Sequence, residues 1–111
     1  MKNEMKVGGM KYAVEIVPFV EINGDRNFAG SCSYQDTTIS IMEGLSRERF
    51  EEVLLHESFH AILHEAGYDE QDEETVVRVG KILHTFVKEN FPNDFERKVN
   101  DIIENAIEQG E

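Results

Sequence analysis

The segment LSRERFEEVLLHESFHAILHEAG, residues 45–67, restricts the fold more than any other part of the chain. Ser46 is placed as a helix N-cap, with Glu48 in the first turn, where a carboxylate complements the positive end of the peptide dipoles. Gly67 sits just past the end of a helix predicted over 47–66. At about 100° per residue, Phe50, Leu54 and Ala61 fall on one side, and Leu55, Phe59, Ile62 and Ala66 on another. A helix with apolar residues on two sides is packed by more than one partner, so this one runs through the middle of the molecule. Yet His56, Glu57, His60, His64 and Glu65 interrupt that apolar surface. Burying such groups without partners costs on the order of several kcal/mol, a large part of a small domain's stability. Their presence needs a reason.

The segments around this helix set the fold class. Residues 1–10 are polar and glycine-containing and read as a loose terminus. YAVEIVPFVEI, residues 12–22, is β-prone, with Pro18 interrupting it or confining it to an edge. NGD at 23–25 signals a turn. FAGSCSY (28–34) is a weak strand containing Gly30, QDT (35–37) a turn, and TISIM (38–42) a strand with Ile39 and Ile41 on one face. After the central helix and the acidic loop YDEQDEE comes a helix over 76–87, with Val76, Val79, Leu83, Phe86 and Val87 at helical spacing; Pro92 stops it near Asn90. A last amphipathic helix uses Phe95, Val99, Ile102, Ile103, Ala106 and Ile107. Strands first and helices after give an α+β domain: a small antiparallel sheet of about three strands packed on the central helix and two further helices. A chain of 111 residues is expected to form one such domain over 1–111.

Composition removes several function classes. No apolar run approaches the ~20 residues that span a bilayer, and no continuous apolar segment follows the first lysines, so neither a membrane partner nor a secretory signal is expected. The single cysteine, Cys32, has no partner for an internal disulfide, in keeping with a cytoplasmic location. A net charge of −12 argues against a nucleic-acid partner, because a polyphosphate needs a cationic footprint. The acidic surface is read first as a source of solubility.

Inside the central helix lies H-E-x-x-H: His56, Glu57 and His60. Positions i and i+4 are about 40° apart and about 6 Å along the axis, so both imidazoles leave one face and can grip one metal ion. Two neutral nitrogens favour zinc. Glu57 is rotated too far round to be a third ligand but is close enough to hold a water at that ion. His64 extends the series by another turn, about 12 Å along the axis from His56, beyond the reach of the same ion. The third ligand is expected from the next helix, which folds back antiparallel after Gly67: Glu73, with Glu74 as the alternative.

With these residues the chain resembles zinc-dependent metallopeptidases of the gluzincin type. More narrowly, it is similar to the small minigluzincins, the phage-encoded HExxH proteins and the catalytic core of the ImmA/IrrE family. The resemblance spans roughly residues 28–90: FAGSCSY, TTISIM, the HESFHAILHEAG helix and an acidic helix start. In those proteins a ligand glutamate is followed at +3, +6, +7 and +10 by small or apolar residues. From Glu73 these are Val76, Val79, Gly80 and Leu83; from Glu74 they are Val77, Gly80, Lys81 and His84. Val76 stands where ImmA-like members often have alanine.

The resemblance implies a minimal zincin-like core and a metalloendopeptidase acting on a protein or peptide, such as a regulatory protein. Glu57 would take a proton from zinc-activated water and pass it to the leaving nitrogen. TTISIM would offer an open edge for an extended peptide. Tyr34, Tyr68 and His84 are candidates for oxyanion stabilisation, each with packing as its plainer role. Cys32 would either fill the open zinc position in a latent form or be a buried free thiol, and the acidic tail is a further candidate cover for the cleft. Two other readings stand beside this one: a non-catalytic, zinc-stabilised binding module, and an acidic phage-type interaction protein that mimics DNA and holds no metal.

Overall fold

Alternating side chains build the sheet of the computed structural model, which describes residues 3–109. In β2 (Met10–Val17), Tyr12 and Val14 point inward and are fully buried, while Glu15 points out. In β6 (Thr38–Met42), Ile39 and Ile41 do the same, and Ser40 on the outer face donates to Glu15 at 2.8 Å. These two strands are parallel neighbours, paired from Ala13↔Thr38 to Val17↔Met42. β1 (Glu4–Val7) adds to β2 antiparallel, and β5 (Gly30–Ser33) adds to β6 antiparallel, giving the order β1-β2-β6-β5. A separate hairpin joins β3 (Val20–Ile22) to β4 (Asp25–Phe28).

Two sequence expectations change here. The sheet is mixed and four-stranded rather than antiparallel and three-stranded. Pro18 has no N–H for a ladder, so β2 ends at Val17 and the 12–22 run divides. The excursion through β3, β4 and β5 is then long enough to return β6 parallel to β2. Residues 4–10, expected to be loose, are ordered in a hairpin. Gly8 and Gly9 take φ of 58° and 87°, the left-handed pair that a two-residue hairpin turn requires. Asn3 extends the pairing, its carbonyl accepting from Val14 N at 2.8 Å and its side chain donating to Val14 O at 3.1 Å. Met1 and Lys2 lie outside the described residues.

Three helices follow: α1 (Arg47–Glu65), α2 (Glu73–Asn90) and α3 (Pro92–Gln109). Ser46 caps α1 by accepting from Arg49 N at 3.2 Å, and Gly67, at φ 101°, turns the chain out of it. Phe50, Val53, Leu54, Leu55 and Ala61 of α1 meet Tyr12, Val14, Ile39 and Ile41 of the sheet and Phe95, Val99 and Ile102 of α3 in one core. The second apolar side of α1 is covered only in part: Phe59 is half-buried, and Ile62 and Ala66 are exposed where the chain leaves for the loop. α3 buries Phe95, Val99, Ile102 and Ala106 as expected, while the side chain of Ile107 lies outside the described residues. None of the described helices is long and apolar enough to cross a membrane.

α2 departs most from its sequence pattern. Val79 and Phe86 are exposed, and the stripe turned inward is Val76, Gly80 and His84. His84 can be buried because its Nε2 lies 3.0 Å from Oε1 of Glu51, itself buried on α1. Lys88 reaches the same oxygen at 3.2 Å, and Arg47 reaches Oε2 at 3.1 Å while donating to Asn100 of α3 at 2.8 Å. Glu51 thus ties α1 to α2, and Arg47 extends the network to α3. Burial by itself would raise the Glu51 pKa, but bonds from His84, Lys88 and Arg47 outweigh it and hold the group below its ordinary 4.5. A carboxylate whose folded value is depressed stabilises the fold above 4.5 and loses that contribution as pH falls through the lower folded value. Thermal melting followed from neutral pH to below 4.5 is therefore expected to fall further in the wild type than in Glu51→Gln. Equal losses in the two proteins would remove Glu51 as the acid-sensitive group.

Candidate metal centre

His56 and His60 leave the same face of α1, one turn apart, with ring centroids 5.0 Å apart and planes at 76°. Gly67 and the short loop send α2 back antiparallel to α1, and Asp72 caps α2 by accepting from Thr75 N at 3.3 Å. That cap makes Glu73 the first residue of α2, beside the two imidazoles. Its Oε1 lies 3.0 Å from His56 Nε2 and its Oε2 lies 3.1 Å from His60 Nε2. One donor atom from each of the three residues falls within 4.8 Å of the others. Two imidazole nitrogens and a carboxylate at this spacing fit a tetrahedral cation that keeps a fourth position for water or substrate.

The three groups line a cleft of about 580 Å³. Its floor is the face of α1 bearing Arg49, Val53, His56, Glu57 and His60; one wall is α2 at Glu73, Val77 and Gly80. Phe28 to Cys32, with Ile22 from the hairpin, form the other wall. Glu57 faces this space although it is only 7% exposed. Burial pushes its carboxyl up to about 7, with His60 opposing the rise and Glu73 adding to it. Burial also lowers the pKa of His56, against the pull of Glu73, which favours the neutral ring that a metal needs.

Other expected residues are placed as follows. Glu74 points away and pairs with Arg78 at 2.7 Å. His64 stacks on Tyr34 with centroids 4.2 Å apart and does not join the cluster. His84 is engaged with Glu51 and does not line the cleft, and Tyr68 is exposed outside it. Of the three oxyanion candidates only Tyr34 lines the cleft. Cys32 lines it too, but burial and then Glu57 push its thiol up to about 12, so at neutral pH it stays protonated, the weaker ligand form. None of the described α3 residues reaches the cleft. TTISIM is not an edge: β6 lies between β2 and β5, because the 28–42 hairpin returns into the sheet next to β2. The outer strand beside the cleft is β5.

Sequence reasoning missed Gln71, whose side chain contacts His60 from the α1–α2 loop. The available signal was one amide inside an otherwise acidic run. Comparison with protein families, with curated proteins and with solved structures finds no match.

Two glycines set the width of the cleft, and they differ in how tightly. A Cβ on Gly30 would lie 2.5 Å from Val53 Cγ1 and 3.3 Å from Glu57 Cγ, so β5 would have to move off α1. A Cβ on Gly80 would meet His56 Cα at 3.8 Å, an ordinary contact. Chemical denaturation is expected to show Gly30→Ala destabilised by about 1–3 kcal/mol, the usual cost of overpacking. Gly80→Ala should be neutral or gain up to about 1 kcal/mol from helix propensity. A reversed order would show that the strand, not α2, is the wall that yields.

Proposed function

We propose that this protein is a zinc-dependent metallopeptidase of the gluzincin type, cutting an extended segment of another protein, such as a regulatory protein, in the cytoplasm. The observation that carries the reading is a carboxylate, Glu73, set between two imidazoles of one helical face, with a buried carboxyl, Glu57, next along the chain in the same cleft. His56, His60 and Glu73 would hold the ion. Zinc bound there supplies a Lewis acid and makes water acidic enough to ionise near neutral pH.

The remaining chemistry belongs to the chain. Glu57, buried in the same cleft next along the chain from His56, is placed both to take a proton from water and to give it to the leaving nitrogen. The open edge of β5 offers backbone groups to an extended peptide as an added strand, and Gly30 lets that edge lie close to Glu57. Tyr34 has its pKa raised chiefly by burial, so its hydroxyl stays protonated and able to donate to a developing oxyanion.

Metal analysis of the purified protein should find bound zinc, and added zinc should raise the melting temperature of metal-free protein. Alanine at His56 or His60 should abolish both effects. Digestion of a peptide library should give cleavage that Glu57→Gln reduces by roughly 10²–10⁴-fold while zinc is retained. Identical product patterns for wild type and Glu57→Gln would remove peptidase activity and leave a zinc-stabilised binding module; protein that takes up no metal would remove both.

A further inference from the structure

Gln71 lies half-buried in the loop between α1 and α2, and its side-chain amide makes two contacts, both with His60. Its Nε2 donates to the backbone carbonyl of His60 at 3.2 Å. Its Oε1 faces Nδ1 of the same histidine ring. Within DEQDEE, residues 69–74, Gln71 is the one side chain able both to donate and to accept when its neighbours are ionised.

These contacts determine where the His60 proton sits. A backbone carbonyl only accepts, so the amide nitrogen must be the group that faces it. The amide oxygen is then fixed against Nδ1, and it too only accepts. Nδ1 must therefore carry the proton. A neutral ring protonated there has a bare lone pair on Nε2, and this nitrogen lies 3.1 Å from Glu73 Oε2. An ionised carboxylate offers only lone pairs in return. The two atoms repel unless a positive charge comes between them, either a second ring proton or a metal cation, and a cation bound to both turns the conflict into attraction.

We propose that Gln71 is a positioning residue that locks His60 in its Nδ1–H form, leaving Nε2 as the sole nitrogen available to a metal cation shared with Glu73. Glutamate at 71 would set a carboxylate against the His60 carbonyl, and a hydrocarbon would leave Nδ1 without a partner. The identity of the ion rests on the metallopeptidase reading; the state of the ring does not.

The test uses the full chain and Gln71→Met, which keeps the length of the side chain and removes its hydrogen bonds. Nitrogen-detected NMR of the histidine rings in metal-free protein is expected to show His60 as the Nδ1–H form in wild type and as a mixture of tautomers in Gln71→Met. Competition against a chelator is expected to show zinc held 10–100-fold more weakly by Gln71→Met, the usual effect of losing such a partner, with the melting temperature of the metal-free variant near that of wild type. The proposal is overturned if His60 keeps the Nδ1–H form in Gln71→Met. It is overturned equally if wild-type His60 is protonated on Nε2, or if zinc affinity is unchanged. Should wild type bind no zinc at all, the metallopeptidase reading fails, and the ring spectra still decide the assignment of Gln71.

Discussion

Helix α1 is pressed from two sides, and both close approaches occur at glycines. On the sheet side, Gly30 lets β5 come within contact of Val53 and Glu57; on the other, Gly80 lets α2 pack over the backbone of His56. Interiors are close-packed, so a side chain at Gly30 would displace what it touches, whereas Gly80 has room for one more methyl group. The cleft exists because these two neighbours stand against the same face of α1 without meeting over it. His56, Glu57 and His60 form its floor as a consequence.

Two sets of ionisable groups join α1 to α2, with different jobs. Glu51, His84, Lys88 and Arg47 bond to one another and fasten α1, α2 and α3. In the other set, ring nitrogens of His56 and His60 and the carboxylate of Glu73 converge on a shared point, in a cleft that Glu57 also lines. A buried pair that satisfies itself contributes to specificity of packing. Imidazole nitrogens and a carboxylate that converge on one point are suited to a cation. The two sets lie on different turns of the same two helices, α1 and α2, so packing them together also assembles the cleft.

Much of this was legible because it is local. The N-cap at Ser46, the stop at Gly67, the one-turn spacing of His56 and His60 and the apolar stripe of α3 all follow from 3.6 residues per turn and from capping chemistry. The β5–β6 hairpin was readable from alternation and its turn residues. What stayed hidden depends on neighbours distant in sequence. Periodicity placed Val79 and Phe86 inside, yet α2 turns its Val76, Gly80 and His84 stripe inward, because Glu51 of another helix makes a buried histidine affordable. The glycine pair at 8–9 was read as looseness when it was a hairpin turn, and the position of TISIM inside the sheet follows from a parallel pairing that no local pattern encodes.

The sequence by itself determined the chemistry: two imidazoles and an acid on one helical turn, and an acidic stretch one loop away, because helical spacing is a property of the backbone alone. Tertiary structure decided which acid meets the imidazoles, Glu73 rather than Glu74, and which strand edge borders the cleft, β5 rather than β6. It also brought Gln71 to His60. Those choices turn on rotations of a few tens of degrees about a helix axis and on the order of strands across a sheet. Both are fixed by packing between segments that are far apart along the chain, and so neither is written in any single segment.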